Sequence, residues 1–236
     1  MERYKIAGLT VDVKYKSGIF KRRSEKYKIE NDAKKCADIV IDTDFDAIQK
    51  RVDEKQTNLS YNALEYLVTG SVFYRKLLSF NGFMLHSSAV VLDGYAYLFS
   101  APCGTGKSTH TALWEKYFEN AYVINDDKPA IKLEDDGGFY VYGTPWSGKS
   151  DKNVNARAKL GAICFLERSG ENFIEKIESK DAVQKIVWQT VRPTDTAAMV
   201  NFMTLADRLL RKVNVYRLGC RMDFEAVKTA YNAMKP

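Results

Sequence analysis

The run Ala101-Pro102-Cys103-Gly104-Thr105-Gly106-Lys107-Ser108-Thr109 combines small residues, one lysine and adjacent hydroxyls. Small residues let successive backbone N–H groups turn inward around an anion, and a helix that follows adds the positive end of its dipole. Gly104 and Gly106 meet that need, and Cys103, Thr105, Lys107, Ser108 and Thr109 complete a candidate nucleotide cradle. Lys107 would bring charge to the β and γ phosphates, and the Ser108 hydroxyl would ligate Mg²⁺. The usual pattern opens with glycine, whereas Ala101 stands here. The expected ligands are ATP, or another nucleoside phosphate, and magnesium.

A second group follows in Tyr122-Val123-Ile124-Asn125-Asp126-Asp127-Lys128-Pro129. An apolar strand that delivers two carboxylates at its end can hold Mg²⁺ with one and accept a hydroxyl proton with the other. Asp126, Asp127 and Lys107 are therefore candidate catalytic groups. Asp127 is set beside Ser108 as the candidate metal ligand, although the division of roles between the two carboxylates stays open. Lys128 would temper their repulsion. His86 precedes Ser87-Ser88-Ala89 on an apolar strand and is a further catalytic candidate, while His110 on the first turn after the loop would face nucleotide or solvent. The run Gly143-Thr144-Pro145-Trp146-Ser147-Gly148-Lys149 offers a second anion site, with Ser147 and Lys149 as candidate substrate contacts. Arg157 and Arg192 are candidates for charge on a transferring phosphoryl group.

These residues need a scaffold, and the periodicities predict one. Alternation of Val11, Val13 and Tyr15 against Asp12, Lys14 and Lys16 predicts a strand, with a turn at Ser17-Gly18 and a return strand around Tyr27 and Ile29. A strand is expected at 37–41 and a polar helix from Phe45. From Tyr61 the spacing of Leu64, Leu67, Val68, Phe73 and Leu77 predicts a helix with those residues on one face. Strands are expected at 83–92 and 95–100, joined by the hairpin dipeptide Asp93-Gly94. A helix from Lys107, strands at 121–124, 130–133, 139–142 and 161–166, and closing helices at 181–191, 195–213 and 223–234 complete the reading. The expected fold class is mixed α/β with an α+β-like character: a largely antiparallel or mixed sheet, a phosphate loop and flanking helices. Residues 1–60 would form a small leading β-rich subdomain and residues 61–236 a phosphate-loop core with C-terminal helices.

The segment from His86 to Asp127, with its histidine-bearing strand, short hairpin, compact phosphate loop and strand ending in Asp-Asp, resembles the catalytic core of the HPr kinase/phosphorylase family. That family shares its phosphate-loop fold with ATP-dependent phosphoenolpyruvate carboxykinases. With Gly106 to Trp114 and Gly143 to Lys149 included, the chain looks most like the small bacterial HPr kinase-like proteins, over roughly residues 83–168. The resemblance implies Mg²⁺-dependent transfer of a phosphoryl group from ATP to a hydroxyl, typically a serine. It implies Gly104, Gly106 and Lys107 on phosphate, Ser108 on metal, Asp126 or Asp127 as base, and His86 beside them. Phosphoryl transfer asks mainly for positioning and charge neutralisation, which such groups supply. A nucleotide-binding regulator of the same fold that has lost catalysis, and a carboxykinase-related enzyme, are the alternatives.

Composition bounds these readings. A chain of 236 residues with 45% hydrophobic and 28% charged residues is neither disordered nor low in complexity. Cys36, Cys103, Cys164 and Cys220 lack metal or disulfide spacing, so a reducing, cytoplasmic setting is expected. The stretch from Phe83 to Phe99 is interrupted by His86, Asp93 and Gly94, so no membrane span is expected, and no nucleic-acid partner. The expected partners are a nucleotide and a serine-bearing small molecule, peptide or protein, with self-association plausible from the resemblance. Residues 1–28 hold nine basic and three acidic side chains, so the whole surplus of six positive charges lies there. Lys21-Arg22-Arg23 would either recruit an acidic substrate or form a solvated face.

Overall fold

In strands buried on both sides, every residue needs an apolar neighbour, and the central strands of this chain read that way. The computed structural model describes residues 1–30 and 36–236. Its strands are β1 (Glu2–Ile6), β2 (Leu9–Val13), β3 (Ile39–Ile41), β4 (Gly82–Met84), β5 (Ser87–Leu92), β6 (Tyr95–Ser100), β7 (Tyr122–Asn125), β8 (Ala130–Leu133), β9 (Phe139–Tyr142), β10 (Arg157–Arg168), β11 (Phe173–Lys176) and β12 (Asn214–Cys220). Its helices are α1 (Gly18–Ser24), α2 (Phe45–Asp53), α3 (Tyr61–Leu77), α4 (Lys107–Tyr117), α5 (Ser179–Trp188), α6 (Thr196–Leu210) and α7 (Phe224–Met234). The fold is mixed α/β.

Nine strands form one sheet in the order β4-β8-β9-β10-β6-β5-β7, with β12 beside β10 and β11 beside β12. Strand β10 organises it: one edge runs parallel to β6, and the other pairs first with β9 and then, from Ala162 onward, with β12. Alternate residues face opposite ways. Ala96, Leu98, Ile163 and Phe165 enter a core with α5 and α6, while Tyr97, Phe99, Ala162, Cys164 and Leu166 enter a second core with α4 and α7. A separate three-stranded sheet, β1-β2-β3, shares a core with α1, α3 and Trp146, built from Tyr4, Val11, Phe20, Phe73 and Tyr74.

Several expectations are corrected. The leading hairpin turns at Ala7 and Gly8, both at positive φ, not at Ser17-Gly18. Ser17 instead caps α1 by accepting from the Ile19 N–H, and Tyr27 lies in a 3₁₀ turn, after which an isolated Tyr4–Lys28 bridge joins the segment back to β1. On α3, Leu67 faces outward and Glu65, Tyr66, Thr69 and Gly70 face inward. The reason is Trp146, whose indole lies so close to Gly70 that no side chain fits between them. The run 83–92 is two strands, because the His86 N–H leaves the ladder for the Gln189 carbonyl at 2.7 Å. The last helices are interrupted by β12, and β10 is twice the expected length. No helix among the described residues is long and apolar enough to cross a membrane.

Candidate functional site

Parallel pairing decides where the chemistry gathers. Ser100 at the end of β6 aligns with Ser87 at the start of β5 and with Phe165 of β10, so the loop after β6 emerges beside β5 and the far end of β10. Gly104 and Gly106 adopt φ of +79° and +119°, values that favour glycine, and a Cβ on Gly106 would also strike Met222. Gly106 is the N-cap of α4 and gives no side-chain cap, which leaves the first N–H groups of the helix for an anion. Pro102, Cys103, Gly104, Ser108 and Thr109 are exposed, with Thr105 half-buried and its N–H 3.4 Å from the Pro102 carbonyl. Lys107 is 9% exposed and folds back under the loop, its Nζ donating to the Ala101 carbonyl at 2.8 Å. Burial draws its pKa below the ordinary lysine value, against the pull of the Asp127 charge.

The carboxylates stand in different settings. Strand β7 delivers both, and Asn125 shapes the turn beyond it: its Oδ1 accepts from the N–H groups of Asp127 and Lys128, at 2.9 and 2.7 Å. Asp126 is 4% exposed, with Oδ1 accepting from the Gly148 N–H at 2.5 Å and Oδ2 from the Ser150 hydroxyl. Asp127 pairs with Lys128 through Oδ2 and with His86 Nε2 through Oδ1 at 2.9 Å. Burial pushes its pKa up, but the His86 hydrogen bond and the Lys128 charge outweigh burial and hold it at about 2. The Asp127 carbonyl accepts from the Ser87 N–H, and the Ser100 hydroxyl donates to the His86 carbonyl, so the carboxylate, the histidine and the root of the loop are tied together. His86 Nδ1 lies 3.0 Å from Gln189 Oε1.

The other candidates divide. Ser147 is buried, with its hydroxyl 3.2 Å from Asp151 Oδ1 and 3.0 Å from Asn153 Nδ2, while Lys149 extends outward next to the Gly148 that touches Asp126. Arg157 is not brought to the loop: it begins β10, eight residues before Phe165, with its guanidinium over the Tyr140 ring and bonded to Tyr142. Arg192 is exposed between α5 and α6. His110 faces neither nucleotide nor solvent. It is fully buried against Phe99, accepts from the Trp114 indole at 3.1 Å, and is held neutral by burial with its pKa near 4.

Two residues adjoin the site unforeseen. Arg168 donates to the Gly104 carbonyl at 2.8 Å, because β10 runs two residues past the expected end of its strand and parallel to β6. Gln189 follows α5, and nothing in its sequence surroundings marks it as a partner of His86. A cavity of about 190 Å³ opens between Ala101-Pro102, Phe165, Trp188 and Gln189. Among the described residues no three His, Cys, Asp or Glu side chains converge as a metal cage.

Fold and site together describe a mixed α/β protein with a glycine loop at a helix N-terminus and an acidic pair beside it. No family model matches the chain, and no curated protein does. Among solved structures it is similar to the Hpr(Ser) kinase/phosphatase from Coxiella burnetii, at 11% identity and a TM-score of 0.37, covering 64% of this chain and 95% of that one.

Proposed function

We propose that the protein is an ATP- and Mg²⁺-dependent phosphotransferase acting on a hydroxyl acceptor of the serine type. The observation that carries this reading is an uncapped glycine loop with Lys107 folded under it, tied at its root through Ser87 and Ser100 to an Asp127 whose carboxylate is paired with His86 and Lys128. The loop N–H groups and Lys107 would hold the phosphates, with Arg168 at the rim. Ser108 and Asp127 would hold the magnesium ion, which when bound neutralises charge on the β and γ phosphates. The acceptor would enter through the cavity at Pro102 and Trp188, bringing its hydroxyl to the His86–Asp127 pair.

The test is transfer from labelled ATP with Mg²⁺ to a panel of serine-bearing small molecules, peptides and proteins. Lys107→Ala and Asp127→Asn should each lower transfer by about 100-fold or more, since each removes a charge aimed at the reacting phosphate. Transfer that survives both substitutions, or the lack of any calorimetric ATP binding, refutes the assignment.

A further inference from the structure

The basic leading segment reaches the acidic pair through one peptide plane. Arg23, on α1, is largely enclosed, with its side chain 11% exposed. Its Nη1 donates to the Ser147 carbonyl at 2.6 Å, its Nη2 donates to the Gly148 carbonyl at 2.7 Å, and its Nε lies 2.7 Å from Asp151 Oδ1. Nη1 also donates to the Tyr66 hydroxyl, which itself lies 3.0 Å from the Pro145 and Ser147 carbonyls. The Ser147 carbonyl and the Gly148 N–H belong to the same planar, rigid peptide unit. Arg23 holds one edge of that plane, and Asp126 Oδ1 accepts from the other at 2.5 Å. A cation on the carbonyl polarises the amide and strengthens what its N–H donates. The backbone here also stands close to both carboxylates: a Cβ on Gly148 would lie 3.2 Å from Asp126 Oδ2 and 3.2 Å from the Asp127 Cβ.

We propose that Arg23 is a positioning residue for the acidic pair: it orients the Ser147–Gly148 peptide so that its N–H caps Asp126, and thereby leaves Asp127 as the carboxylate that faces His86 and Lys128. The effect on transfer rests on the phosphotransferase reading above; the structural link does not. Arg23 thus takes a role separate from its neighbours, since Arg22 is two-thirds exposed and meets Asp151 at 3.2 Å.

Amide hydrogen exchange and transfer kinetics, measured on the full chain, test the link. In Arg23→Ala the Gly148 amide should exchange about 10-fold faster or more while the amides of β6 keep their protection, because a charge-assisted contact holding that plane is gone. Transfer from labelled ATP should fall about 10-fold in kcat, with ADP affinity by calorimetry within about twofold of the parent, since the loop that holds phosphate is untouched. Arg23→Lys keeps the charge but not the fork that spans two carbonyls, so it should lie between parent and alanine variant, and it remains informative if Arg23→Ala does not fold. Arg22→Ala should change neither measurement. Unchanged Gly148 exchange in a folded Arg23→Ala or Arg23→Lys overturns the proposal, as does a transfer rate equal to the parent's. If the parent transfers nothing, the phosphotransferase reading fails by itself, and Gly148 exchange still decides whether Arg23 holds the plane.

Discussion

At the scale of single residues, the two adjacent carboxylates are chemically unlike, and variants should separate them. Asp126 spends both oxygens on neutral donors, the Gly148 N–H and the Ser150 hydroxyl, whereas Asp127 meets a histidine and a lysine. Asp126→Asn keeps an acceptor toward Gly148, and exchanging charge-assisted bonds for neutral ones should cost about 1 kcal/mol of stability, with transfer reduced by no more than about 10-fold. Asp127→Asn should instead remove about 100-fold or more of transfer. Asp127 also carries a signature against pH. Asp127 has a folded pKa near 2, below its ordinary 3.8, so its contribution of about 2 kcal/mol is fully present above pH 4 and is lost as pH falls toward 2. Denaturant titrations at pH 6 and pH 3 should therefore show Asp127→Asn losing less stability on acidification than the parent; equal losses would mean that His86 and Lys128 do not stabilise the ionised carboxylate.

At the scale of elements, what could be read from the chain was what local chemistry dictates. Asp93-Gly94 announced its hairpin because both residues accept positive φ, and the loop announced itself because Gly104 and Gly106 have few other uses at that spacing. What could not be read depended on partners distant in sequence. His86 breaks a continuous apolar run only because Gln189, over a hundred residues later, takes its N–H. Strand β12 is hidden by Tyr216 and Arg217, which interrupt its apolar pattern, and its identity comes from pairing with β10. The buried face of α3 is rotated from the apolar one because Trp146 occupies the groove at Gly70. That tryptophan stacks on Phe73 with centroids 4.8 Å apart, touches Phe20 and Tyr74, and lies next to the Ser147–Gly148 peptide. Trp146→Ala should therefore cost about 3–5 kcal/mol by denaturant titration. It should also speed Gly148 amide exchange, because the same side chain anchors the loop from below. A loss under about 1 kcal/mol would show that the loop and the three-stranded sheet do not depend on this contact.

At the scale of the molecule, the basic leading segment is only partly neutralised by neighbouring carboxylates, and mostly at the surface. Arg3 pairs with Asp12, Lys14 with Asp42 and Lys28 with Glu2 within the leading unit, whereas Arg22 and Arg23 reach Asp151 beyond it, with Arg23 the enclosed one of the two. The fold also carries a buried imidazole whose protonation opposes folding. His110 is fully buried between α4 and β6, and burial lowers its pKa from 6.5 to about 4, with the Asp223 charge opposing only weakly. In the unfolded chain the same imidazole takes up its proton near pH 6.5. The sign follows from proton binding: between these values the unfolded state binds more protons, so stability falls as pH falls. The shift corresponds to about 3 kcal/mol, present in full above pH 6.5 and lost by pH 4, a window in which Asp127 contributes no change. His110→Gln keeps an acceptor for the Trp114 indole but cannot take a proton, so its stability should stay nearly flat from pH 7 to pH 5 while the parent's declines. Parallel slopes for parent and variant over that range would show that His110 does not set the acid sensitivity of the whole fold.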